Sequence, residues 1–169
     1  MIQETPQINK KENFSKVISI WKFILLSLIT FGIYELVWFY RNWKFLKKEQ
    51  NLKITPFLRT IFSTIFAWSF ASYLKKFLKE NNIICNYSPF FIWISYFIIC
   101  ILWKLPDPYS LLWYLTFVPL IPLVKSMNKY WLSKEQNLSL KKFSWWQIIL
   151  IIIGVILFLL IIFTSFLPE

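Results

Sequence analysis

Histidine is absent from this 169-residue chain. With it go the commonest general base and the commonest metal ligand. Glycine occurs only twice, at Gly32 and Gly154, so a Gly-rich phosphate cradle cannot be built. The two cysteines, Cys85 and Cys100, are too few for a framework of several disulfides, and both lie in or beside apolar runs. They read as small buried hydrophobes. No nucleophile–base set, paired carboxylate or Cys/His metal spacing can be found. The expectation is a non-enzymatic protein with no catalytic residue, no metal and no cofactor.

Charge is scarce as well. Only 16% of the residues are charged, where a soluble domain carries about 25%. In their place stand apolar side chains at 57%, aromatics at 21%, and a mean hydropathy of +0.54. Rings in this abundance suit the two lipid–water boundaries. The remaining charge is one-sided, with 19 Lys+Arg against 8 Asp+Glu for a net +11. Such a balance suggests nucleic acid first. Here the basic residues flank long apolar runs and form no solvated basic face, which excludes nucleic acid and points to a bilayer with anionic headgroups.

Met1 to Lys16 is a polar tail with no signal peptide, because the first apolar run is too long for one and lacks a small-residue cleavage site. Residues 17–169 read as one all-α membrane domain. Four runs have about the 20 apolar residues a bilayer crossing needs, or nearly so: Phe23 to Tyr40, Pro89 to Trp103, Pro108 to Val124 and Phe143 to Leu167. A fifth region, Phe57 to Leu74, is shorter once Arg59 is set aside. Its Thr60, Ser63, Thr64, Ala67 and Ala71 share one helical stripe, while Ile61, Ile65, Trp68 and Phe70 lie elsewhere. It reads as an interfacial or re-entrant helix. Helix starts are marked by Thr55-Pro56, Ser88-Pro89 and Asp107-Pro108, and by Ser144 with Gln147.

Basic clusters follow the runs Phe23 to Tyr40 and Pro108 to Val124 and the shorter Phe57 to Leu74 helix, second in chain order. With four crossings and a non-crossing second helix, all three clusters fall on the cytoplasmic side. Both termini and the Leu105–Tyr109 link then lie outside, at the cost of placing Lys10, Lys11 and Lys16 there too. Five crossings are the alternative, with one cluster misplaced.

Set against itself at an offset of 86, the chain matches without gaps. Leu25, Leu26, Thr30 and Phe31 fall on Leu111, Leu112, Thr116 and Phe117; Asn42 falls on Asn128 and Phe57 on Phe143. The string KEQNL at Lys48 to Leu52 recurs at Lys134 to Leu138. This predicts an internal duplication, with repeats at about 23–74 and 109–167 joined by a helix at about 88–104. The copies are parallel, since each carries its basic segment after its first span. Within that segment Phe39, Trp43 and Leu46 share one face and Arg41, Lys44 and Lys48 the other, as suits a helix lying along headgroups. The candidate headgroup contacts are Arg41, Lys44, Lys47, Lys48, Lys125, Lys129 and Lys134.

Glu35 is the one acidic side chain inside a clear span, and intramembrane carboxyls are often functional. Arg41 or Arg59 is within reach to pair with it, and Arg59 is otherwise expected to snorkel. Glu35 and Arg59 form the candidate intramembrane polar site. The second copy has Ile121 where the first has Glu35.

TFGIYELVWFYRNWK at Thr30 to Lys44, TPFLR at Thr55 to Arg59 and WKLPDPY at Trp103 to Tyr109 resemble a family of small bacterial multi-pass membrane proteins described only as a domain of unknown function. The resemblance implies a bacterial inner-membrane location and carries no activity. The function expected is binding of anionic lipid, or of a membrane partner or second copy, through the basic extensions. The alternative is a small transporter or channel subunit using Glu35, with Thr60, Ser63 and Thr64 lining a polar path.

Overall fold

The computed structural model describes residues 17–106, 109–134, 145, 148, 149 and 151–156. Over these the chain is all-helical. Six α-helices run in order: α1 (Ile20–Ile29), α2 (Ile33–Glu49), α3 (Pro56–Ile61), α4 (Ser63–Glu80), α5 (Pro89–Ile101) and α6 (Ile121–Lys134). Three 3-10 turns, Leu102–Lys104, Tyr109–Leu115 and Val118–Leu120, join α5 to α6. The polar tail, Asp107-Pro108, Ser144 with Gln147, and most of the last apolar run lie outside the described residues.

The expected first span is not one helix. It doubles back between α1 and α2. Phe31 (φ 50°) and Gly32 (φ 79°) adopt successive left-handed conformations, the second of which glycine takes without steric cost. The Gly32 N–H donates to the Ser27 carbonyl at 2.9 Å, the six-to-one bond that terminates helices. Thr30 fastens both sides of the reversal. Its hydroxyl donates to the Leu26 carbonyl (2.7 Å) and accepts the Tyr34 N–H (3.0 Å). In a straight helix Phe23 and Trp38 would stand roughly 22 Å apart at 1.5 Å per residue. Instead their rings meet edge-to-face at 5.8 Å, with Tyr34 beside them at 6.0 Å from Phe23.

The expected fourth span is also broken, into two 3-10 turns and the start of α6. Pro119 and Pro122 each remove an N–H from the region where a continuous helix would need it. The second region is interrupted at Phe62, after Thr60 bonds back to the Pro56 carbonyl at 2.8 Å, a contact that bends helices. Pro56 and Pro89 do open α3 and α5, but the hydroxyls of Thr55 and Ser88 make no capping bond. Proline alone marks those starts. Among the described residues, no helix is long and apolar enough to cross a membrane. At 1.5 Å per residue α1 and α5 reach only about 15 and 20 Å, while α2 and α4 end in lysine-bearing turns.

The core is aromatic. Phe70 of α4 meets Trp38, Phe39 and Trp43 of α2 at 5.5, 5.1 and 5.2 Å, each edge-to-face, an arrangement that stabilises beyond area burial. The small stripe of α4 faces inward, with Ser63, Ala67 and Ala71 buried. Ile61, Ile65 and Trp68 are exposed, whereas Phe70 turns in. The Trp93 indole donates to the Thr64 carbonyl (3.1 Å) and ties α5 to α4. The loop between them is fastened by Tyr87, whose hydroxyl donates to the Ala71 carbonyl (3.2 Å). Burial, with the Cys85 thiol beside it, pushes that phenol above its ordinary value. The Asn128 amide exchanges two hydrogen bonds with the backbone of Ile18 (3.1 and 2.6 Å), pinning the chain before α1 to α6. Gly154 lies directly on the backbone of Ile29, with no room for a Cβ.

Candidate functional site

The side chains of α2, α4 and α6 divide by face. On α2, Phe39, Trp43 and Leu46 are buried while Arg41, Lys44, Lys47 and Lys48 are exposed. On α6, Leu123, Val124 and Met127 are buried while Lys125, Lys129 and Lys134 are exposed. On α4, Leu74, Phe77 and Leu78 are buried while Lys75, Lys76 and Lys79 are exposed. Each basic face is the far side of a helix held down by apolar packing.

Ring contacts fix the direction of these helices. Along α2, Trp38, Trp43 and Phe45 meet Phe70, Tyr73 and Phe77 of α4 in ascending order, so the two helices run parallel. α6 runs the same way. Its preceding Thr116 touches Glu35 near the start of α2, and its Trp131 meets Phe45 near the end at 4.9 Å. By the 86-residue offset Trp131 is the counterpart of Phe45. All three C-terminal turns therefore gather at one end, and each carries lysine, the sign that a helix C-terminus favours.

Away from that end, Glu35 is 2% exposed in the first turn of α2. The Thr116 hydroxyl donates to its carboxylate at 2.8 Å. Tyr96 of α5 places its hydroxyl in hydrogen-bonding reach of the same carboxylate. Beyond them Ser63 reaches the Tyr96 hydroxyl, and Thr64 and Tyr96 reach the Cys100 thiol. Four segments distant in the chain thus supply one buried polar cluster. A buried carboxylate keeps its place only when hydrogen-bonded or paired, and here hydroxyls do the work.

Arg59 is not part of this cluster. It is half-buried, donates to Ser69 at 3.0 Å, and lies over the Trp43 and Phe66 rings at 4.8 and 5.1 Å. Of the partners open to Glu35, Arg59 is not the one taken: Thr116 bonds the carboxylate, while the Arg59 cation lies against aromatic faces. Tyr96 and Thr116 escaped sequence reasoning. Thr116 had one signal, its register with Thr30; Tyr96 had none. Among the described residues no group of three His, Cys, Asp or Glu side chains is placed to hold a metal ion.

Searched against models of known families, characterised proteins and solved structures, the chain matches none.

Proposed function

We propose that this is a helical protein of the bacterial inner membrane whose apolar exterior is surrounded by lipid and whose basic end rests against anionic headgroups. The observation that carries the reading is the gathering of three lysine-bearing C-terminal turns at one end of parallel helices. The exterior supports it. Trp21, Ile65, Phe91 and Ile84 are 63–81% exposed, and further apolar side chains on α2, α3 and α5 are uncovered. Many large apolar side chains left uncovered in this way suit lipid better than water. The α1–α2 reversal favours entry of the first run as a hairpin in place of one crossing. The expected crossing of the last run, Phe143 to Leu167, falls mostly outside the described residues. The internal duplication belongs to this reading, with α2 and α6 as counterpart basic helices, and so does the resemblance through the motifs quoted above.

The full chain in mild detergent tests the proposal by the lipids that native mass spectrometry finds retained on it. Each basic residue near an anionic surface contributes about 1 kcal/mol. Replacing Lys44, Lys47 and Lys48 with Gln is therefore expected to reduce the preference for phosphatidylglycerol over phosphatidylcholine on the order of a hundredfold at low salt. An unchanged preference would sink the headgroup reading.

One observation favours a second reading, a small transporter or channel subunit. Glu35 sits with Tyr96, Ser63, Thr64 and Cys100, so part of the expected hydroxyl path adjoins the carboxylate. Ion flux through proteoliposomes that Glu35→Gln abolishes would support this reading; flux unaffected by the substitution removes it.

A further inference from the structure

We infer that the groove between the C-terminal turns of α2, α4 and α6 seats a lipid headgroup carrying a primary ammonium beside a phosphate, as in phosphatidylethanolamine. The inference rests on the headgroup reading above and names the lipid class that this end selects.

The groove has a volume of about 440 Å³, within the ordinary range for small-molecule sites. Glu49 and Gln50 close it from α2, Lys76 and Glu80 from α4, and Tyr130 and Lys134 from α6. Three helices present their carbonyl ends here, each with partial negative charge. Two carboxylates, Glu49 and Glu80, line the groove as well, which favours a cation there. Tyr73, Phe77 and Tyr130 form its aromatic wall. Phe77 and Tyr130 pack at 4.9 Å, and Gln50 donates to the Tyr73 carbonyl at 3.4 Å, holding the end of α2 to α4.

Two further lining residues have the opposite charge. Lys76 and Lys134 face the groove, the latter 5.8 Å from the Tyr130 ring. Among the described residues no ion pair joins either glutamate to either lysine. Two acids and two bases thus line one concavity with no ion pair between them, a lining that complements a zwitterion. A primary ammonium fits better than a quaternary one, because it can donate charge-assisted hydrogen bonds to both carboxylates. Partial burial and the nearby Glu49 push the Tyr130 phenol above its ordinary value, so it stays a donor toward phosphate. Leu52 and Phe77 supply apolar surface where a glycerol backbone would leave the groove.

The groove also holds residues of the first copy of the duplicated string together with the first residue of the second. Glu49, Gln50 and Leu52 belong to the first KEQNL, and Lys134 opens the second. Ligand sites in membrane proteins built from repeats lie at the repeat interface.

Native mass spectrometry of the full chain, titrated with dioleoyl phosphatidylethanolamine, phosphatidylcholine or phosphatidylglycerol, tests the inference. The wild type is expected to retain phosphatidylethanolamine about tenfold over phosphatidylcholine, the effect of one or two charge-assisted bonds. Glu49→Gln with Glu80→Gln is expected to erase that preference while the phosphatidylglycerol preference persists. The K44Q/K47Q/K48Q variant is expected to do the reverse. Equal retention of the two zwitterionic lipids by the wild type, with phosphatidylglycerol still preferred, overturns the inference and leaves the headgroup reading standing. Loss of both preferences overturns both. Displacement of the lipid by equimolar soluble phosphoethanolamine overturns the lipid assignment in favour of a soluble amine. Both glutamates are exposed at helix ends, and circular dichroism of the double variant checks that it still folds.

Discussion

Thr30-Phe31-Gly32-Ile33 and Thr116-Phe117-Val118-Pro119 occupy the same register 86 residues apart, yet they do different things. In the first, the chain passes through two left-handed residues and turns back on itself. In the second, Phe117 has φ −68°, and the chain continues through 3-10 turns into α6. A shared Thr-Phe pair does not specify a reversal. The glycine after it does, and valine followed by proline forbids it. The threonines diverge accordingly: Thr30 serves its own backbone, whereas Thr116 reaches across to Glu35.

Exchanging counterpart residues sharpens this contrast. Gly154 corresponds to Trp68, which is 54% exposed, while Gly154 presses on the Ile29 backbone. Gly154→Trp is expected to cost about 3 kcal/mol or more by overpacking, whereas Trp68→Gly should cost only about 1 kcal/mol of helix propensity. Thermal melts in detergent compare the two. Gly32→Val, which puts the second copy's residue into the first copy's turn, forces a β-branched side chain to φ 79°. A loss of about 2–3 kcal/mol is expected; wild-type stability would show that the reversal does not depend on glycine. Glu35→Ile, again the counterpart residue, strands the hydroxyls of Thr116 and Tyr96 and should cost about 2 kcal/mol. Glu35→Gln, which still accepts from them, should cost less than half of that. The pair Thr30→Val and Thr116→Val compares the two threonines directly. The first removes two hydrogen bonds and the second one, so about 2 and 1 kcal/mol are expected, read from chemical-denaturation midpoints.

Local features were legible in the chain. Proline placed the starts of α3 and α5, and the spacing of Phe39, Trp43 and Leu46 against Arg41, Lys44 and Lys48 gave the two faces of α2. The small stripe of α4 was legible for the same reason, since helical periodicity is set by near neighbours. The reversal at Thr30 was not, because apolar residues continue unbroken on both sides of it. What distinguishes a turn from a longer helix there is Phe23 meeting Trp38, a contact that exists only after folding. The Glu35 cluster was half legible. Its carboxyl stood out as an isolated charge, but its partners come from α5 and from the turn before α6, at separations periodicity does not encode. The burial of Phe70, off the small stripe, was not legible, because its pocket is built by three rings of another helix.

On the membrane reading proposed above, the reversal at Gly32 has a mechanical consequence. A hairpin whose arms leave on the same side drags no polar stretch through the oily interior, so it can be pushed in from one surface like a wedge. Such a wedge widens one leaflet more than the other. A film in which many copies sit the same way up is under lateral stress, and it relieves that stress by curving.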